Sequence, residues 1–234
     1  MRKIIFILLV IIAVGLVSLF LISRLEIPHK IYYENGQLEK EFNYKNNKRE
    51  GPYKAYYENG QVSREEAYKN GKLEGISRRY HESGTLRSEL VYKGGKKDGF
   101  SRAYYDNGRM KWEAGHKGDK FDGVFKTYYD NGQLRSDQFY KDGKCEGPYK
   151  EYYENGNLKS DSVCKDGKYE GLLKWFYEDG QLKGEAIYRN GSLGESKVYR
   201  EDGSLEYIEI YEGEKIINRK TYYEDGQLVS EVED

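Results

Sequence analysis

The chain has 234 residues, 37% hydrophobic and 34% charged, with 25 tyrosines, 27 glycines and 3 prolines. With much of the aliphatic content held in the first 22 positions, the remainder has too little to bury in a conventional compact core. Its 39 Lys and Arg against 40 Asp and Glu give a formal net charge of −1, which offers no global field to nucleic acid or to an anionic membrane surface.

The chain opens on Arg2 and Lys3 followed by Ile4 to Ile22, a 19-residue run without charge. At about 1.5 Å per residue such a helix just spans a hydrocarbon core. No small-x-small cleavage site succeeds it, since Leu19-Phe20-Leu21-Ile22 runs straight into Ser23-Arg24. Residues 1–26 therefore predict an uncleaved signal anchor with its helix over about 4–22. The positive-inside tendency sends residues 27–234 to the non-cytoplasmic side.

Residues 27–234 are periodic. Gly36, Gly60, Gly84, Gly108, Gly132, Gly156 and Gly180 recur every 24 residues, and Gly203 and Gly226 continue at 23. Gly51, Gly75, Gly99, Gly123, Gly147, Gly171 and Gly194 mark the boundaries of nine units of 23–24 residues, the last truncated. One unit reads GPYKEYYENGNLKSDSVCKDGKYE from Gly147. Its Glu-Asn-Gly and Lys-Asp-Gly-Lys segments are hairpin turns, because Asn, Asp and Gly tolerate the positive φ that primed turns require. The predicted fold is all-β: an elongated single-layer antiparallel meander of about 17 strands, roughly 80 Å long at about 4.8 Å per strand, preceded by one N-terminal transmembrane helix.

Within a unit the columns repeat. Column 4 is basic (Lys54, Arg78, Arg102, Lys126, Lys150), column 12 aliphatic or Met, and column 15 acidic (Glu65, Glu89, Glu113, Asp137, Asp161), with Ile208 an exception. Column 6 is aromatic: Tyr56, Tyr80, Tyr104, Tyr128, Tyr152 and Phe176 among others. A two-residue Asn-Gly turn, the preferred reading, sets Lys150 opposite Asp161 and Tyr153 opposite Leu158. A three-residue bulged turn would oppose Tyr152 to Leu158 and send Lys150 and Asp161 to opposite faces. Cross-strand ion pairs account for nearly all of the charge under the first reading.

No column is broken by a catalytic constellation. His29, His81 and His116 lie in three different units, two of them standing where other units carry tyrosine. There is no GxxxxGK[ST], GxSxG or HExxH segment, and the Asp-Gly-Lys turns lack the carboxylate series of a calcium loop. No catalysis, cofactor or metal is expected. Cys145 and Cys164 form no metal signature; they fall as diagonal neighbours on adjacent strands, and whether they pair stays open. The pattern breaks at Trp112, Gly115 and His116, at Trp175 and Phe176, and in the two 23-residue units. Trp112 and Trp175 join the column-6 aromatics as candidate contact residues.

The segments Gly147 to Glu154 with Asn155, Gly156, Leu158 and Lys159, Tyr128 to Leu134, and Tyr177 to Leu182 resemble MORN-repeat variants, and within them the YwqK-type antitoxin family. That resemblance implies an extended β-meander, a scaffold or membrane-associated linker and, in antitoxin members, a protein that neutralises a toxin by binding it. The function expected is a non-enzymatic protein-binding or scaffolding module tethered to a membrane, its partner a toxin or an envelope protein. No nucleic acid is expected. The alternative is a cell-wall glycan binder, since tandem aromatic hairpins also look like choline- or glucan-binding repeats, or a structural spacer.

Overall fold

A computed structural model describes residues 28–233. The expected anchor helix over 4–22 lies outside the described residues. Among them the regular structure is all β, in one open antiparallel sheet of 21 strands. Three of these, Lys72–Leu73, Lys96–Lys97 and Lys168–Tyr169, are two-residue pieces that run on into the next strand across a bulge, which leaves 18 passes of the chain. Among the described residues no helix is long and apolar enough to cross a membrane.

Both turns in each unit are hairpin turns, but of different kinds. At the second, Asp142 and Gly143 both take positive φ (51° and 85°) and Lys141 pairs with Lys144, the two-residue turn expected for Asp-Gly. At the first only Gly156 takes positive φ (90°). Its N–H donates to the Tyr153 carbonyl at 2.9 Å, and the Tyr153 N–H donates to Asn157 at 2.8 Å, so Tyr152 falls opposite Leu158. This corrects the preferred two-residue reading, yet Lys150 still faces Asp161. A second bulge explains it. Lys159 is passed over between Leu158 and Ser160, and that extra residue restores the register that the turn had shifted.

Boundary glycines are bulge residues. Gly147 (φ 91°) lies where Tyr140–Cys145 pairing gives way to Gln138–Tyr149. The shorter unit drops one residue there, because Tyr188–Leu193 passes to Ile187–Glu195 and Gly194 takes no positive φ. Loss of one bulge residue leaves the base of column 4 opposite the preceding acid in both cases, as Asp137–Lys150 and Glu185–Lys197 show.

A single sheet has no second layer, and the thin core sits on one face. Its buried residues occupy columns 3, 14, 16 and 18 and are mostly small: Ser101 and Ala114 are fully buried, joined by Ser77, Ser136, Ser162 and Ala186. The tyrosine of column 7 lies on this side and ties each unit to the next. Tyr33, Tyr57, Tyr105, Tyr129 and Tyr153 donate their hydroxyls to the carbonyls of Tyr56, Tyr80, Tyr128, Tyr152 and Phe176 at 2.7–2.8 Å. Tyr177 reaches Tyr199 at 2.9 Å, and Arg200 replaces the tyrosine with a guanidinium bond to Tyr222. Asn59, Asn107, Asn131 and Asn155 donate at 3.1 Å to a carbonyl in the following turn. On the other long edge the boundary acids Glu50, Glu74, Glu146 and Glu170 accept from turn amides of the following unit at 2.7–2.9 Å.

Gly147→Ala and Gly194→Ala change the same column with different results expected. An added Cβ meets nothing within 4 Å at Gly147 but must adopt φ 91°, whereas at Gly194 it makes only an ordinary 3.6 Å contact with the Ile187 carbonyl. Urea unfolding should show a loss of about 1–2 kcal/mol for the first and almost none for the second; equal losses would refute the bulge assignment.

Candidate binding surface

The sheet sorts its columns onto two faces. Columns 4, 6 and 15 share one face, tied by contacts around each acid: the Glu65 carboxylate lies 3.1 Å from Lys54 and accepts the Tyr80 hydroxyl at 2.9 Å. Tyr56 donates likewise to Glu41 and Tyr128 to Glu113. Arg78–Glu89, Arg102–Glu113, Lys126–Asp137, Lys150–Asp161 and Lys220–Glu231 complete ion pairs of 2.8–3.6 Å. Where Ile208 removes the acid opposite Lys197, that lysine turns to Glu185 and Glu195 at 3.8 and 3.2 Å. These pairs are partly exposed and screened by solvent, so each is a weak contribution to stability. Their effect is to neutralise the face, not to charge it.

The eight expected contact residues do not form one surface. Tyr56, Tyr80, Tyr104, Tyr128, Tyr152 and Phe176 are half-buried in column 6, beside the charge ladder. Trp112 and Trp175 lie on the opposite face, in columns 14 and 5, which alternate across the strands. Each tryptophan stands beside small residues: Trp175 faces Gly184 and Ser160, and Trp112 faces Ala103 and Thr127. A Cβ on Gly184 would come within 2.2 Å of Trp175 Cζ2, so the glycine makes room for that ring.

Whereas the column-6 tyrosines from Tyr56 to Tyr152 are half-buried, columns 2 and 17 hold several exposed side chains. They flank the ladder on its own face, and Ile76, Phe100, Phe139, Val163, Leu172, Ile187 and Ile210 are 39–50% exposed. They pair within hairpins, as in Ile76–Val91, Pro148–Val163 and Leu172–Ile187. From Pro52 to Ile187 the two columns carry no charged residue. The stripe is present in the sequence once these columns are aligned unit by unit, but rows of aromatics do not mark it.

Cys145 and Cys164 are free thiols near one another on neighbouring strands, and Cys145 is pushed up to about 12 by burial and by the Cys164 thiol. It stays protonated near neutrality and is a poor nucleophile. His116 is buried against Phe121, ring centroids 4.8 Å apart, and burial and Lys97 hold its pKa down.

The MORN repeat variant family matches residues 25–46, 49–70, 73–93, 121–142, 146–163, 169–190 and 217–233, more than half of the chain. The chain belongs to that family. Units of the MORN repeat variant are unmatched at 94–120 and 191–216, the first holding Phe100, Trp112 and His116 and the second including a 23-residue unit. No curated protein matches. Among solved structures, "Crystal Structure of TcdB2-TccC3-Cdc42" aligns at 12% identity and TM-score 0.22 over 88% of this chain and 15% of its own. "Crystal Structure of TcdB2-TccC3" aligns at 13% identity and TM-score 0.16 over 89% and 18%. This chain spans less than a fifth of either, and nothing about function passes from them.

The ladder of the MORN units makes the fold sensitive to alkali. Tyr56 is pushed from its usual 10.0 up to about 12 by burial and by Glu41, and Tyr80 and Tyr128 are raised by burial and by their acids. A raised tyrosine contributes stability in full below its unfolded value and loses it as pH climbs through the folded one. Glu65, held low by the Tyr80 hydroxyl and Lys54, works in the opposite direction: its contribution is present above the unfolded carboxylate value and lost as pH falls through the folded one. Urea midpoints should fall above about pH 10 and again in acid. Tyrosinate absorbance that rises at pH 10 with the sheet intact and equally stable would contradict this.

Proposed function

We propose that the chain is a non-enzymatic protein-binding repeat module, held at a membrane by its N-terminal segment with the array on the non-cytoplasmic side. In this reading the stripe of columns 2 and 17 is the docking surface and the column-6 aromatics border it. The observation that carries the proposal is the exposure of that stripe: aligned aliphatic and aromatic side chains left in water over several units are characteristic of interaction sites. Its flanking charges are already paired, which favours a protein face over a polyanion. A toxin or another envelope protein is the partner class implied by the resemblance and by the expected location.

The test uses the full chain, affinity-tagged and purified from its native membranes, beside the double variant Phe100→Glu/Leu172→Glu. Both side chains are exposed, so the variant should keep the parent's melting curve. A protein recovered in stoichiometric amount with the parent and reduced about tenfold, or about 1.4 kcal/mol, with the variant supports the reading. Equal recovery with both, or no partner with either, sinks it and returns the glycan-binding and spacer readings to the front.

A further inference from the structure

One junction between units lacks the latch-edge ties of its neighbours, while its other edge is held by the Lys97 N–H on Asp119 at 2.8 Å. Between the units beginning at Gly75 and Gly99, the column-7 tyrosine is His81, too short to give Tyr104 the hydroxyl bond its counterparts receive. The turn asparagine is Ser83, whose hydroxyl meets Thr85 within its own turn at 2.9 Å instead of reaching onward. A notch of about 600 Å³ opens there, lined by Arg79, His81, Arg87, Tyr105, Lys111 and Trp112 among others. Its floor is small. Arg79, Ser88, Ala103 and Trp112 succeed one another across four strands, so the two large walls stand about 14 Å apart at about 4.8 Å per strand.

The notch gathers three cations, Arg79, Arg87 and Lys111, on the latch face, where column-13 cations such as Lys159 and Lys183 also stand over column-7 rings. Arg79 lies directly opposite Arg64, and among the described residues neither Arg79 nor Arg87 has an acid within ion-pair distance. Lys111 rests over the Tyr105 ring at 5.3 Å. The one carboxylate at the rim, Asp106, is 3.1 Å from His81 Nε2 but out of line for a hydrogen bond, which leaves that buried nitrogen unsatisfied. Two guanidinium forks and an ammonium around a concavity suit an oxyanion with several acceptor oxygens. The faces of Tyr105 and Trp112 suit a flat apolar group attached to it.

We propose that this notch binds a phosphate monoester, its oxyanion held by Arg79, Arg87 and Lys111 and its organic part against Trp112. The site is on the opposite face from the stripe of columns 2 and 17, so it stands or falls independently of the docking proposal. The test is calorimetric titration of the full chain in detergent with phenyl phosphate, and with phenol as the uncharged control. Saturable one-to-one binding of phenyl phosphate, none of phenol, and affinities at least tenfold weaker in Arg79→Ala/Arg87→Ala and in His81→Tyr are expected. His81→Tyr restores the latch residue, so it should melt no lower than the parent while filling the notch. No saturable binding to the parent, equal binding of phenol, or undiminished affinity in either variant overturns the proposal.

Discussion

A tyrosine hydroxyl on a backbone carbonyl of the following unit is the interaction on which this sheet depends. A hairpin alone is marginal in water, and a single layer cannot bury one face against another. The column-7 tyrosines supply what is missing: Tyr57, Tyr105, Tyr129, Tyr153 and Tyr177 each lie toward the next unit and fasten to it. The same face keeps mostly serine and alanine at its centre, with a few larger residues such as Phe42, Tyr53 and His116 buried beside them. Stability then accumulates by nearest-neighbour terms along the array, as in other solenoid-like repeats.

That arrangement divides labour between the faces. The latch face is committed to holding the units together, and the tryptophans there are fitted to small neighbours such as Gly184. The ladder face is neutralised pair by pair and left open, with an apolar stripe along it. Departures from the latch are therefore informative. Arg200 keeps the bond by other means, whereas His81 gives it up and a cationic notch opens beside it.

The repeat, the all-β meander and the Lys150–Asp161 opposition were legible in the sequence because periodic glycines and alternating columns arise directly from turn and strand geometry. The Asp-Gly turn was legible for the same reason. The Asn-Gly turn was not, because the one-residue turn bulge and the second bulge at Lys159 cancel, and only their sum leaves a trace in the spacing. Column 6 was singled out for its aromatics, but its tyrosines are half-buried and several hydroxyls are engaged by acids such as Glu41 and Glu65. Trp112 and those tyrosines lie on opposite faces, because columns 6 and 14 differ in parity once the register is known. The latches themselves were hidden, since a hydroxyl-to-backbone bond about 23 residues away marks no partner side chain in the sequence.

The most direct measurement replaces the latch tyrosines Tyr57, Tyr105, Tyr129, Tyr153 and Tyr177 by phenylalanine, singly and all together, and tracks urea unfolding by far-ultraviolet circular dichroism. Each replacement keeps the ring and removes only the hydroxyl, so each should cost about 0.5–1.5 kcal/mol, with the losses adding approximately across separated junctions. A fivefold variant as stable as the parent, within about 0.5 kcal/mol, would show that the hydroxyl bonds do not hold the array together.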